Sequence, residues 1–207
     1  FGALVIALIL GGILILFAGG DPIRSYQHIA KASFGNLGVL SDTIVKATPI
    51  ILAALACSVA FRMKLWNIGA EGQFIMGAFG ASAIVLAPVL PAETPRWIFI
   101  PVMMLAGMAA GAVWGFIPGY LKAKFNVNEI ISTLMLNYVA VAWINFWIFA
   151  VWTEGGFQMS PVFPDNAWLP RLLDYAKTFS ILRGLTTHLG LVIGILAAII
   201  LWLIIYR

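Results

Sequence analysis

Two carboxylates, Glu71 and Glu129, stand where long apolar runs begin, and each has amides or hydroxyls close by: Asn67 and Gln73 beside the first, Ser132, Thr133 and Asn137 beside the second. Side chains of these types can pass protons or hydrogen-bond a polar cargo. The first group lies in RMKLWNIGAEGQFIMGAFG, Arg62 to Gly80. At ~100° per residue, Gly69, Gly72, Gln73, Met76 and Gly80 share one helix face, on which a second backbone can approach closely. A carboxylate in hydrocarbon costs several kcal/mol unless paired or hydrated, so Glu71 is expected to face protein or water. A plainer reading is compatible with that one: a helix start at the membrane surface, with Asn67 as N-cap and Glu71 complementing the helix dipole.

The second group lies in NVNEIISTLMLNY, Asn126 to Tyr138. Glu129, Ser132, Thr133 and Asn137 fall on one arc of a helix there, while Ile130, Ile131, Leu134 and Met135 face elsewhere. Such an arc in a membrane helix serves interhelical hydrogen bonds, worth ~0.6–2 kcal/mol each, or lines an aqueous path.

Other chemistries find no footing. Cys57 is the sole cysteine, and His28 and His188 are far apart and lack ligand spacing. Ser58 and Ser82 carry no nucleophile motif, and no HExxH occurs. The net charge of +4 is spread through connections, without the basic cluster that nucleic acid requires.

The elements that must position these residues follow from composition. The chain is 62% hydrophobic and 10% charged, against roughly 45–50% and about 25% in soluble domains; it is a membrane protein. Apolar runs long enough to cross, given that ~20 residues span a bilayer core, lie near Phe1–Ala18, Ile44–Phe61, Ile68–Leu90, Trp97–Tyr120, Glu129–Trp152 and His188–Tyr206. The expected fold is all-α and polytopic, with about six transmembrane helices, bent or broken near residues 66–77 and 126–137. Phe1–Ala18 reads as a trimmed membrane helix rather than a signal peptide.

Gly19 to Thr43 reads as a polar connection, with Asp21-Pro22 as a turn and Ser41 or Asp42 as a helix N-cap. Pro49 should kink the second span, and Lys46 can snorkel to its interface. Gly107, Gly111, Gly115 and Gly119 recur at four-residue spacing, a groove for close helix packing, and Pro118-Gly119 should end that helix. Residues 153–187 form a long loop, expected to be extracytoplasmic, with Trp147, Trp152 and Trp168 at the headgroup layer and a short helix near Leu169–Ser180. Alternation puts Arg62, Lys64, Lys122, Lys124 and Arg207 on one side, which their density in short loops marks as cytoplasmic.

The stretches WNIGAEGQ (Trp66–Gln73) with Met76-Gly77-Ala78, and NEIISTLMLNY (Asn128–Tyr138), resemble the permease subunits of bacterial ABC importers for simple sugars and nucleosides, a group akin to ribose and branched-chain amino acid permeases. The resemblance covers essentially the whole chain, Val45-Lys46-Ala47-Thr48-Pro49 included. It implies one membrane-embedded permease domain over residues 1–207, truncated at both ends, in the bacterial cytoplasmic (inner) membrane. It also implies a second permease subunit, alike or homologous, a cytoplasmic ATPase, and an extracytoplasmic substrate-binding lipoprotein. On that reading ATP and Mg bind in the partner ATPase, and this chain binds no cofactor. Transport is by alternating access, with Asn67, Glu71, Gln73, Glu129, Thr133 and Asn137 shaping or supporting the path. In the family the last span is followed by a coupling segment and further helices, so the chain is expected to be an N-terminal fragment. The alternative is a proton-coupled secondary transporter with Glu71 and Glu129 as proton carriers.

Overall fold

The computed structural model describes residues 1–91, 93–157, 159–176 and 182–206. Lys177, Ser180 and Arg207, on which parts of the loop and orientation readings rest, lie outside them. Among the described residues the regular elements are helical: α1 (Gly2–Phe17), α2 (Pro22–Phe34), α3 (Leu37–Arg62), α4 (Ala70–Leu86), α5 (Arg96–Phe125), α6 (Glu129–Phe146) and α7 (Gly190–Tyr206), with short turns of π and 3₁₀ helix between α6 and α7. Each of the six apolar runs carries a helix. The helical stretches Leu37–Arg62, Arg96–Phe125 and Glu129–Val151 are long and apolar enough to cross a membrane, whereas α4 has 17 residues. Neither polar stretch bends a helix from within. The chain leaves helix after Arg62 and again after Phe125, and α4 and α6 then run without interruption to Leu86 and Phe146.

The described chain divides into two compact units, Phe1–Pro49 with Pro170–Val192, and Ile50–Leu169 with Ile193 onward. In the first, the connection expected to be a polar turn is mostly helix α2. Asp21 is its N-cap, accepting from the Ile23 and Arg24 backbone N–H groups at 2.9 and 3.1 Å, and Pro22 occupies the first helical position. An Asp-Pro pair opens a helix as readily as a turn, because proline's fixed φ and missing donor suit both. Helices α1 and α2 meet at 118°, and the Tyr26 hydroxyl donates to the Leu8 carbonyl at 2.6 Å.

The cap expected at Ser41 or Asp42 lies earlier. Asn36 accepts from Val39 N–H at 2.9 Å, and α3 starts at Leu37. Ser41 and Asp42, one turn in, hold the end of the long loop instead. Thr187 N–H donates to buried Ser41 Oγ at 2.8 Å, and the Thr186 hydroxyl donates to Asp42.

The second unit inverts the pattern of a water-soluble core. On α5 the large side chains Leu105, Met108, Val113 and Phe116 are exposed, while the face of Gly107, Gly111 and Gly115 meets α4. On α6 Ile131, Leu134, Met135 and Tyr138 are exposed, while Thr133, Asn137 and Ala140 are buried. Lipid solvates large apolar groups as well as a core does, so close packing of small and hydrogen-bonding residues drives assembly.

Helix α5 passes through Pro118 and Gly119 and ends seven residues later than Pro118, at Phe125, where Asn126 takes the left-handed conformation (φ 53°). A proline removes one donor from the ladder, and the residues after it, Leu121 to Lys124, are good helix formers. Trp147 and Trp152 pack with Phe79 at ring separations of 5.4 and 5.2 Å, and Trp152 is 7% exposed. In the loop the described residues hold 3₁₀ turns at Asp165–Ala167 and Leu172–Tyr175, the second within the stretch where a short helix is expected; residues 177–180 of that stretch lie outside the described residues.

Candidate functional site

The stretch from Asn67 to Gln73 is built around glycine and amide. Asn67 is not the N-cap of α4, because the helix starts at Ala70 and Gly69 is the cap. Asn67 Oδ1 accepts from Gly69 N–H at 3.0 Å, while its Nδ2 donates to Gln73 Oε1 at 3.1 Å and Gln73 Nε2 donates back to Oδ1 at 3.3 Å. The two primary amides thus form a reciprocal pair across the start of the helix. Gly115 of α5 makes room for it, since a Cβ there would lie 3.2 Å from Gln73 Nε2. Glu71 sits in the first turn, where its charge complements the helix dipole, and it is exposed on this chain.

Asn137 secures the same helix start from α6. Its Oδ1 accepts from Gly72 N–H at 2.9 Å and its Nδ2 donates to the Ile68 carbonyl at 3.0 Å. Both are backbone groups that the start of α4 leaves without an intrahelical partner. Gly72 is required for the approach: a Cβ would stand 2.8 Å from Asn137 Oδ1, and one at Gly69 2.8 Å from Thr133 Cβ. Asn137 therefore packs behind the start of α4 and holds it in place.

Helix α6 opens under an Asn128 cap, whose side chain accepts from Ile130 N–H at 2.9 Å. Glu129 follows, half-buried, with the Lys122 ammonium 3.0 Å from its carboxylate. The Thr133 hydroxyl turns back to the Glu129 carbonyl at 2.6 Å. The left-handed turn at Asn126 reverses the chain between α5 and α6 and so brings Lys122 onto Glu129.

These groups converge on a cavity of about 420 Å³ at the ends of α3 to α6. Asn67, Gln73, Glu129 and Thr133 all line it, with Lys122 among them. The rest of its wall is apolar, from Ala56, Val59 and Ala60 on α3, Met63 just after it, and Pro118 on α5. Glu71 and Asn137 do not line it. Of the groove glycines, Gly107, Gly111 and Gly115 lie against α4, whereas Gly119 has nothing within 4 Å and lines the cavity. Chemically the site offers an amide array, a hydroxyl and a neutralised ion pair in an apolar chamber, which suits a small polar molecule that makes a few hydrogen bonds. Sequence reasoning treated Lys122 only as a mark of topology. Its role depends on the turn at Asn126, which an asparagine in a polar connection does not specify.

The guanosine ABC transporter permease protein NupP of Bacillus subtilis (strain 168) is 34% identical over 209 residues, covering 99% of this chain and 56% of that protein. The nucleoside ABC transporter permease protein NupB of Lactococcus lactis subsp. cremoris (strain MG1363) is 31% identical, covering 98% of this chain and 55% of that protein. The glucose ABC transporter permease protein TsgB13 of Haloferax volcanii is 34% identical, covering 93% of this chain and 50% of that protein. The chain spans about half the length of these curated relatives. No solved structure matches it. The family described as "branched-chain amino acid transport system / permease component" matches residues 39–207, which takes in every residue of the cavity; the chain, a multi-pass membrane protein, belongs to that permease family.

Proposed function

We propose that the chain is part of the transmembrane subunit of an ATP-driven importer, which moves nucleosides or simple sugars across the bacterial cytoplasmic membrane by alternating access. The observation that carries this reading is the cavity, where Asn67, Gln73, Thr133 and the Lys122–Glu129 pair meet between apolar helices. Its hydrogen-bonding groups are few, with Thr133 buried and the others half-buried, as fits a passage that receives an already selected cargo. The family and the activities named for the relatives support the same direction. On this reading a second permease subunit completes the path, an extracytoplasmic lipoprotein delivers substrate, and a cytoplasmic ATPase holds ATP and Mg. The end of the helices bearing Lys122 and Lys124 then faces the cytoplasm.

Nothing in the site favours proton coupling. Glu129 is already balanced by Lys122 at 3.0 Å and needs no proton to sit among apolar helices. Uptake by the assembled importer in vesicles separates the two. ATP-dependent accumulation without a pH gradient is expected; accumulation abolished by an uncoupler at constant ATP would reject the reading.

A further inference from the structure

We infer that the Asn67–Gln73 amide pair is a nucleobase-reading element, which opens to pair with the hydrogen-bonding edge of a base as the nucleoside passes. The inference rests on the proposed function and narrows its substrate to nucleosides. Two carboxamides joined by N–H···O bonds in both directions, at 3.1 and 3.3 Å, satisfy each other as a cyclic dimer. The edge that one amide presents to the other is a donor beside an acceptor. A purine or pyrimidine lactam presents the same pattern, an N–H beside a C=O, and the amino edge of adenine presents it in a different order. A carboxamide can answer either one with two bonds. Swapping one amide partner for such an edge keeps the number of hydrogen bonds constant; if Gln73 makes the exchange, Asn67 Oδ1 keeps Gly69 N–H at 3.0 Å and its Nδ2 is released into the cavity that Asn67 lines.

The surroundings favour a base over a bare sugar. Ala56, Ala60, Met63 and Pro118 give the cavity apolar walls, which suit the faces of an aromatic ring but leave most hydroxyls of a hexose unpaired. The remaining polar groups, Thr133 and the Lys122–Glu129 pair, form a second centre in the same cavity. A nucleoside has this division, with a flat base carrying an edge and a ribose carrying hydroxyls. Gly115 lets the Gln73 amide pack where a Cβ would stand 3.2 Å from its Nε2, and on its other side the amide borders the cavity.

The test separates the permease from the binding protein, whose own selectivity would mask the effect. Equilibrium binding of radiolabelled inosine and of 1-methylinosine, at millimolar concentration, is measured on the full permease–ATPase complex in nanodiscs. Uptake of inosine by the complete importer is measured in parallel. Methylation at N1 removes the lactam donor and blocks the edge, and it is expected to weaken binding at least about tenfold. A Gln73→Glu variant, nearly the same shape, replaces an amide with a carboxylate that accepts twice. It should shift preference about tenfold toward guanosine, whose N1–H and N2 amino group donate side by side, over inosine, which has one such donor. A merely structural role for Gln73 would not produce that change of preference.

Equal binding of inosine and 1-methylinosine, or a Gln73→Glu complex with unchanged preference, would overturn the inference. Uptake of inosine by the complete importer with no binding to the permease complex would overturn it too, while leaving the importer reading intact. Absence of both inosine uptake and inosine binding would overturn the nucleoside reading on which it rests.

Discussion

At the scale of the residue, one asparagine fixes the geometry of the site without lining it. Asn137 joins α6 to two backbone groups of the α4 start, so its replacement by alanine leaves a buried N–H and a carbonyl unpaired. The expected loss is about 1–3 kcal/mol, read by denaturant unfolding of the detergent-solubilised protein. The Asn137→Asp variant keeps the acceptor for Gly72 but turns a carboxylate oxygen onto the Ile68 carbonyl at a buried position, and should lose at least as much. The Lys122–Glu129 pair predicts the opposite balance. Its side chains are 37% and 18% exposed, so solvent screens them, and breaking the pair should change stability by less than about 1 kcal/mol. Uptake should fall in Lys122→Gln and in Glu129→Gln alike. The charge-swapped double variant Lys122→Glu/Glu129→Lys should recover part of it, and a double variant no better than either single one would show that the pair does not act as a unit.

The cavity residues Asn67, Gln73, Glu129 and Thr133 were legible in the sequence, because amides, hydroxyls and carboxylates at the start of apolar runs are costly unless they serve an interior. What was not legible was their division of labour. Glu71 and Glu129 look equivalent as text, yet Glu71 faces outward from α4 while Glu129 faces Lys122, since helix phase and a left-handed turn at Asn126 decide which way each points.

At the scale of the element, the four-residue glycine spacing of α5 splits into two jobs. Gly107 and Gly111 give the backbone of α4 its contact, with a Cβ at Gly107 standing 3.0 Å from the Gly77 carbonyl and one at Gly111 3.2 Å from that of Gln73. Gly119, the last of the series, borders the cavity. A Gly111→Leu variant should lower the yield of folded protein before any transport step is measured. A Gly119→Leu variant should fold with a melting temperature near that of the unmodified protein and still lose uptake, because its side chain enters the cavity. Size-exclusion profiles and vesicle uptake on the two proteins check both outcomes. The helix ends were the least legible features. Pro118-Gly119 reads as a stop, yet the ladder tolerates one missing donor and α5 continues to Phe125. Asp21-Pro22 reads as a turn, yet the same pair caps α2. The chemistry of each dipeptide serves two structures, and packing outside the window chooses between them.

At the scale of the molecule, the described chain places large apolar side chains on its outside and glycine, threonine and asparagine where helices meet. Its all-helical, membrane-spanning character was legible from composition alone, because a bilayer admits few other solutions for backbone hydrogen bonding. The amphipathic helix α2 was not, because its mixed composition reads as a connection when apolar length is the only signal. If this chain helps to form an ATP-driven path for nucleosides, uptake of labelled inosine into vesicles carrying the complete importer will depend on ATP. With ATP inside the compartment that contains the ATPase, and no ion gradient, the account predicts accumulation that stops when ATP is removed and falls sharply in Gly119→Leu. Accumulation that persists without ATP and collapses with an uncoupler would contradict it.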